Sequence, residues 1–144
     1  MNTDQVEAYF RSHEPSLDGI STDFGRRGDA AFLRLSRSGE AGRWAVVASP
    51  GRRWFAVEIP GGFSLNHFDE DLEDDEVRAI LNDFLAVAVA YMRSGAARRS
   101  VGPLRFPALV VSMPQGERVL RRSLVADVKG LVGLGGGSDP ATSK

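Results

Sequence analysis

Between Ala31 and Phe68 the chain alternates apolar and polar residues with a period of two, broken at short intervals by glycine and proline. A strand points successive side chains to opposite faces, so this pattern suits strands with one packed face. Connections this short leave only antiparallel pairing, because a parallel crossover needs a dozen residues or more. A doubly wound parallel sheet is therefore excluded. In Ala31-Phe32-Leu33-Arg34-Leu35-Ser36 the residues Ala31, Leu33 and Leu35 share a face. Ser38–Gly42 reads as a turn and Arg43–Ala48 as the next strand. Ser49-Pro50-Gly51-Arg52 has the proline and glycine placement of a type II turn, in a loop longer than a tight hairpin. In Arg53–Ile59, Phe55, Val57 and Ile59 face one way and Trp54, Ala56 and Glu58 the other. Pro60-Gly61-Gly62 ends that strand, and Phe63–Phe68 reads as a fourth, short one.

Elsewhere the period changes to that of a helix. Val77, Ile80, Leu81, Phe84, Ala88, Tyr91 and Met92 form an apolar stripe from about Glu73 to Arg93. Carboxylates fill the first turn of this segment, Arg93 stands in its last, and Gly95 follows as a stop. A first helix over about Thr3–Glu14 carries Val6, Tyr9, Phe10 and His13 on one side, is capped by Asn2 or Thr3, and ends at Pro15. Residues 15–29 read mostly as loop, with Ile20 and Phe24 able to anchor a short strand, and residues 94–104 read as loop. Phe106–Met113 reads as a strand that Pro107 assigns to an edge or a bulge. Glu117–Val132 carries Leu120, Leu124, Val125, Val128, Leu131 and Val132 at helical spacing; its start, to about residue 123, suits a strand or a helix, and its later part a helix. Residues 133–144, rich in Gly, Ser, Pro and Ala, have little to bury and read as a disordered tail. The expected fold is thus α+β: an antiparallel meandering sheet of four to five strands against a long central helix, with an N-terminal and a C-terminal helix. Residues 1–132 form one domain, as the length of 144 residues also indicates.

No apolar run approaches the roughly 20 residues that span a bilayer, and the polar, acidic start is unlike a secretory signal. A cytoplasmic protein is the expectation. Cysteine is absent, which excludes disulfides, thiol nucleophiles and cysteine-ligated metals. The net charge of −1 conceals a strong asymmetry. Asp69, Glu70, Asp71, Glu73, Asp74, Asp75 and Glu76 place seven carboxylates in eight residues, while the rest of the chain has 12 acids against 18 bases. Charges this close repel unless something compensates them; Arg52, Arg53, Arg98 and Arg99 are the internal candidates, and a basic partner is the external one. The EF-hand spacing fails, since counting from Asp69 puts Asp74 at position 6 and Ile80 at position 12. Asp69-Glu70-Asp71 matches a metal-holding DxD triplet, and His67 stands near it, so a small metal-dependent enzyme is an alternative. No nucleophile elbow accompanies His67. His13 reads as a helix-end histidine. Gly133–Gly137 follows a helical pattern and precedes none, so it fails as a phosphate loop. Trp44 and Trp54 with nearby arginines suggest base stacking, but no RNP-type sequence appears, and nucleic acid is disfavoured.

Trp44–Ser49, Arg53-Trp54-Phe55 and the acidic Asp69–Glu76 in a small, cysteine-free, Arg-rich chain resemble bacterial polymorphic-toxin immunity proteins. The order of elements is also similar to that of type III secretion chaperones and the YbjN-like fold, an analogy of fold alone. Neither resemblance carries catalytic residues. The immunity resemblance implies a non-enzymatic, protein-binding module that neutralises a toxin through an acidic surface of Asp69, Glu70, Asp71, Asp74 and Asp75. The partner is then a basic toxin or secreted effector, with no cofactor, and a homodimer is left open. The chaperone resemblance implies a peptide-binding alternative.

Overall fold

The computed structural model describes residues 1–122. The expected C-terminal helix beyond residue 122 and the expected tail at 133–144 lie outside the described residues. Helix α1 (Thr3–Ser12) begins at Asn2, whose side chain accepts from the Gln5 backbone N–H while the Gln5 side chain accepts from the Asn2 N–H. This reciprocal pairing satisfies two donors that a helix start leaves open. Strands β1 (Ile20–Arg27), β2 (Ala30–Arg37), β3 (Glu40–Ser49), β4 (Arg53–Ile59) and β5 (Phe63–Asp69) follow, then helix α2 (Asp74–Ser94), then strands β6 (Ala97–Val101), β7 (Phe106–Met113) and β8 (Gly116–Arg122). All pairings are antiparallel. They make one eight-stranded sheet in the order β1-β2-β3-β4-β5-β8-β7-β6.

The sheet is larger than the sequence predicts: eight strands replace four to five, and two helices, not three, are found among the described residues. Three strands account for the difference. β1 occupies most of what reads as loop, and hairpins onto β2 through Gly28-Asp29, with Gly28 at positive φ in the first central position as a II′ turn requires. Gly25 within β1 is not a break: a Cβ there would lie 2.6 Å from the Phe32 ring, which fills the space over it. β6 replaces the loop expected at 94–104, and β8 settles 116–122 as strand. Pro107 is also not on an edge, since β6 pairs beyond it. It sits near the start of β7 opposite Ser100, where little of the ladder depends on its missing N–H.

Both helices pack on the same face of this sheet. Val6, Tyr9 and Phe10 of α1 and Val77, Leu81, Phe84, Ala88 and Met92 of α2 share a core with Leu33, Leu35, Val47, Phe55, Val57, Ile59, Val111 and Leu120. The Tyr9 hydroxyl donates to Asn82 Oδ1, tying the helices together. Arg37 Nη2 donates to the Met92 carbonyl at 2.8 Å and ties β2 to the end of α2. The opposite face carries a second, smaller cluster of Val46 and Ala48 under Phe32, Trp44 and Trp54. Among the described residues the two parts of the sheet meet where β5 and β8 share the pairs Phe63↔Arg122 and Ser64↔Arg121. Among the described residues no helix is long and apolar enough to cross a membrane.

Candidate partner-binding site

The acidic run forms the connection from β5 to α2. β5 ends with Phe68, which is 65% exposed, and Asp69. Asp69 Oδ1 accepts from the Asp71 backbone N–H at 3.1 Å and turns the chain out of the sheet. Leu72 packs against the core and anchors the loop from within. The Glu76 side chain accepts from the Glu73 backbone N–H at 2.9 Å, fixing the entry to α2. The carboxylates of Asp74, Asp75 and Glu76 then stand in the positive first turn of the helix.

All five carboxylates that the sequence singles out are exposed, but they are not equivalent. Asp74 Oδ1 lies 3.0 Å from the amino group of Met1, whose side chain is almost fully buried. Asp75 pairs with Arg78 at 3.4 Å within its own helix. Among the described residues neither Glu70 nor Asp71 has an ion pair through its side chain. The arginines named as internal compensators do not serve the run. Arg53 stands opposite Asp69 in the ladder without an ion pair among the described residues, and Arg99 on the far edge strand pairs with Glu117 at 3.2 Å. Compensation comes instead from the Met1 amino group, Arg78 and the α2 N-terminus. Only the amino group requires tertiary structure, and no local pattern in the sequence signals it.

His67 does not join the carboxylates. Its ring lies on the helix-bearing face, 6.1 Å from the Phe55 ring, with Nε2 buried and without a hydrogen-bond partner among the described residues. Asp69 Oδ1 is instead engaged by the loop backbone, at the Asp71 N–H. Among the described residues no group of three His, Asp or Glu side chains is gathered as a metal would require. His13 ends α1 as the sequence predicts, stacked on Tyr9 with ring centroids 4.0 Å apart.

The unanticipated group is Glu58. It lies on the face of the sheet away from the helices, only 4% exposed, between Val46 of β3 and Ser64 of β5. Its Oε2 has no hydrogen-bond partner among the described residues. Asn66 stands near it on the same face, its Nδ2 donating to Ser64 Oγ at 2.8 Å and its Oδ1 buried, without a partner among the described residues. Burial disfavours the carboxylate and pushes the Glu58 carboxyl up to about 8. A lone Glu in the otherwise apolar Phe55–Ile59 run is the one sequence signal that marks it. Comparisons with protein-family models, with curated proteins and with solved structures found no match to this chain.

Proposed function

We propose that this chain is a non-enzymatic protein-binding module of the immunity type, which covers a basic toxin or secreted effector with the β5–α2 connection. One juxtaposition supports the reading: an exposed aromatic ring, Phe68, stands beside the exposed carboxylates Asp69, Glu70 and Asp71. Interfaces join an apolar or aromatic anchor to a charged rim in this way. Opposite charge steers such a pair together and sets its specificity. Asp74 contributes less than its neighbours, because the Met1 amino group already engages it.

The test first asks whether the reading frame adjacent to this one encodes a secreted basic protein, and then uses that protein as the partner. Its affinity for this protein is measured against ionic strength. Exposed charges act over a Debye length of about 8 Å at physiological salt, so affinity falls as salt rises. The triple variant Asp69→Asn, Glu70→Gln, Asp71→Asn associates more slowly and loses that salt dependence. Phe68→Ala weakens binding through faster dissociation. Wild-type affinity and salt dependence in the triple variant would remove the acidic run from the interface.

A further inference from the structure

The direction of the strands sorts the exposed charges of this molecule. β5 starts at Phe63, opposite Arg122, and runs to Asp69, where the acidic connection begins. β8 runs the other way, from Gly116 to Arg122, and β7 lies beside it with Met113 opposite Gly116. Phe106 and the β6–β7 turn therefore stand at the end of the sheet away from the acidic connection. α2 carries the same division: Asp74, Asp75 and Glu76 are in its first turn and Arg93 is in its last. From Arg93 to Gln115 the chain has four arginines and no acid. Those arginines, Arg93, Arg98, Arg99 and Arg105, are all exposed. Arg99 reaches Glu117 at 3.2 Å, a half-exposed pair of the kind that contributes little and that a polyanion can displace.

The tip of this hairpin is apolar. The Arg105 N–H donates to the Gly102 carbonyl at 3.1 Å, which closes a turn with Pro103 and Leu104 outermost. Leu104 is 75% exposed, and Phe106, which pairs with Val101 at the base of the turn, is 51% exposed. Single apolar residues scattered over a surface need no explanation, but two large ones at one projecting tip do. The cations lie on both sides of that tip. Arg98 stands opposite Leu109, which packs on the helix-bearing face, and Arg99 opposite Ala108, on the other face. A protein partner would lie along one of these faces, whereas a flat anionic surface met end-on engages both sides at once. Lipid surfaces of this charge attract clustered arginines, and apolar side chains among them enter the boundary between headgroups and acyl chains. We propose that the β6–β7 hairpin is a peripheral docking tip for an anionic lipid surface: Leu104 and Phe106 enter it, and the four arginines hold its headgroup phosphates. The seven residues of β5, at about 3.3 Å each, keep the acidic connection about 20 Å back from that surface. That is well beyond the Debye length of about 8 Å, so the acids are not repelled and stay open to solution.

The test needs the full-length protein alone, so it stands or falls apart from any toxin partner. The protein is sedimented with vesicles of phosphatidylcholine, and with vesicles of an equal mixture of phosphatidylcholine and phosphatidylglycerol. It binds the mixed vesicles, more weakly as salt rises, and leaves the neutral ones in solution. Arg98→Gln with Arg105→Gln weakens that binding about thirtyfold. Leu104→Ser with Phe106→Ser weakens it about tenfold or more while every arginine remains. Leu104→Trp guards against a double variant that fails to fold: the added indole shifts its emission to the blue on mixed vesicles and is quenched by brominated lipid, over the signal of Trp44 and Trp54. Failure to bind mixed vesicles, equal binding to neutral ones, wild-type binding by both double variants, or an indole that lipid leaves unchanged would overturn the proposal. So would self-association in the absence of lipid that the hairpin variants abolish, because it would make the acidic end of a second copy the occupant.

Discussion

Glu58→Gln should make the protein more stable in alkali and leave it nearly unchanged in acid. The ordinary value for this carboxyl is 4.5, and burial raises it to about 8 in the folded chain. The folded state then holds the proton more tightly than the unfolded state does. The stability that depends on this proton is complete below about pH 4.5, declines as pH rises, and is lost above about pH 8. At about 1.4 kcal/mol per pH unit, the whole span is worth about 5 kcal/mol, a large share of the 5–15 kcal/mol by which domains are usually stable. Gln has the shape of the protonated acid and cannot ionise. Urea denaturation of both proteins at a series of pH values should show curves that meet near pH 5 and separate steadily toward pH 8, with wild type the weaker. The neighbours of Glu58 in its row are Val46 and Ser64, with Arg34 and Arg121 one strand further out; pairing with either arginine would lower the carboxyl, opposite to burial. A difference between the two proteins that stays constant with pH would refute the reasoning, because it would mean that Glu58 is already ionised in the fold.

Phe84→Ala opens a cavity in the core between α2 and the sheet, where the ring is 4% exposed, and should cost about 3–5 kcal/mol in chemical denaturation. Gly51→Ala should cost about 1–3 kcal/mol: its φ is +92°, and a Cβ there would lie 2.6 Å from the Met1 carbonyl oxygen, so the change both strains the turn and pushes the N-terminus off α2, which a melting curve will register. Asn2→Ala removes the reciprocal cap of α1 and should cost about 1 kcal/mol, with helix content falling before the sheet is affected.

What the sequence conveys depends on how much of each element is buried. α2 is legible almost to the residue, because its stripe from Val77 to Met92 is buried along its whole length. The strands β2 to β5 are legible for the same reason. β1 and β6 are edge strands, and edges are kept polar. Ser21 and Asp23 in β1, and Arg98, Arg99 and Ser100 in β6, give no alternation to read. In β8 only Leu120 is buried, and one apolar anchor does not distinguish a period of two from one of 3.6. The site divides similarly. The carboxylates of the β5–α2 connection are visible as composition, whereas the engagement of Asp74 by Met1 and the enclosure of Glu58 depend on residues far away along the chain.

Among the described residues, the joint between β5 and β8 links two local meanders of the sheet through two residue pairs. β1 to β5 form through successive hairpins, as do β6 to β8, so each assembles from neighbours in the chain. Bringing Phe63 to Arg122 instead closes a loop of nearly sixty residues, at an entropic cost of about 3.5 kcal/mol beyond a constant. Among the described residues two pairs and the bridging body of α2 oppose that cost, so the two halves should form before the joint closes. Hydrogen exchange should show the consequence: backbone amides of Phe63, Ser64, Arg121 and Arg122 exchange through local parting of the seam, faster than those in the middle of β2 and β3.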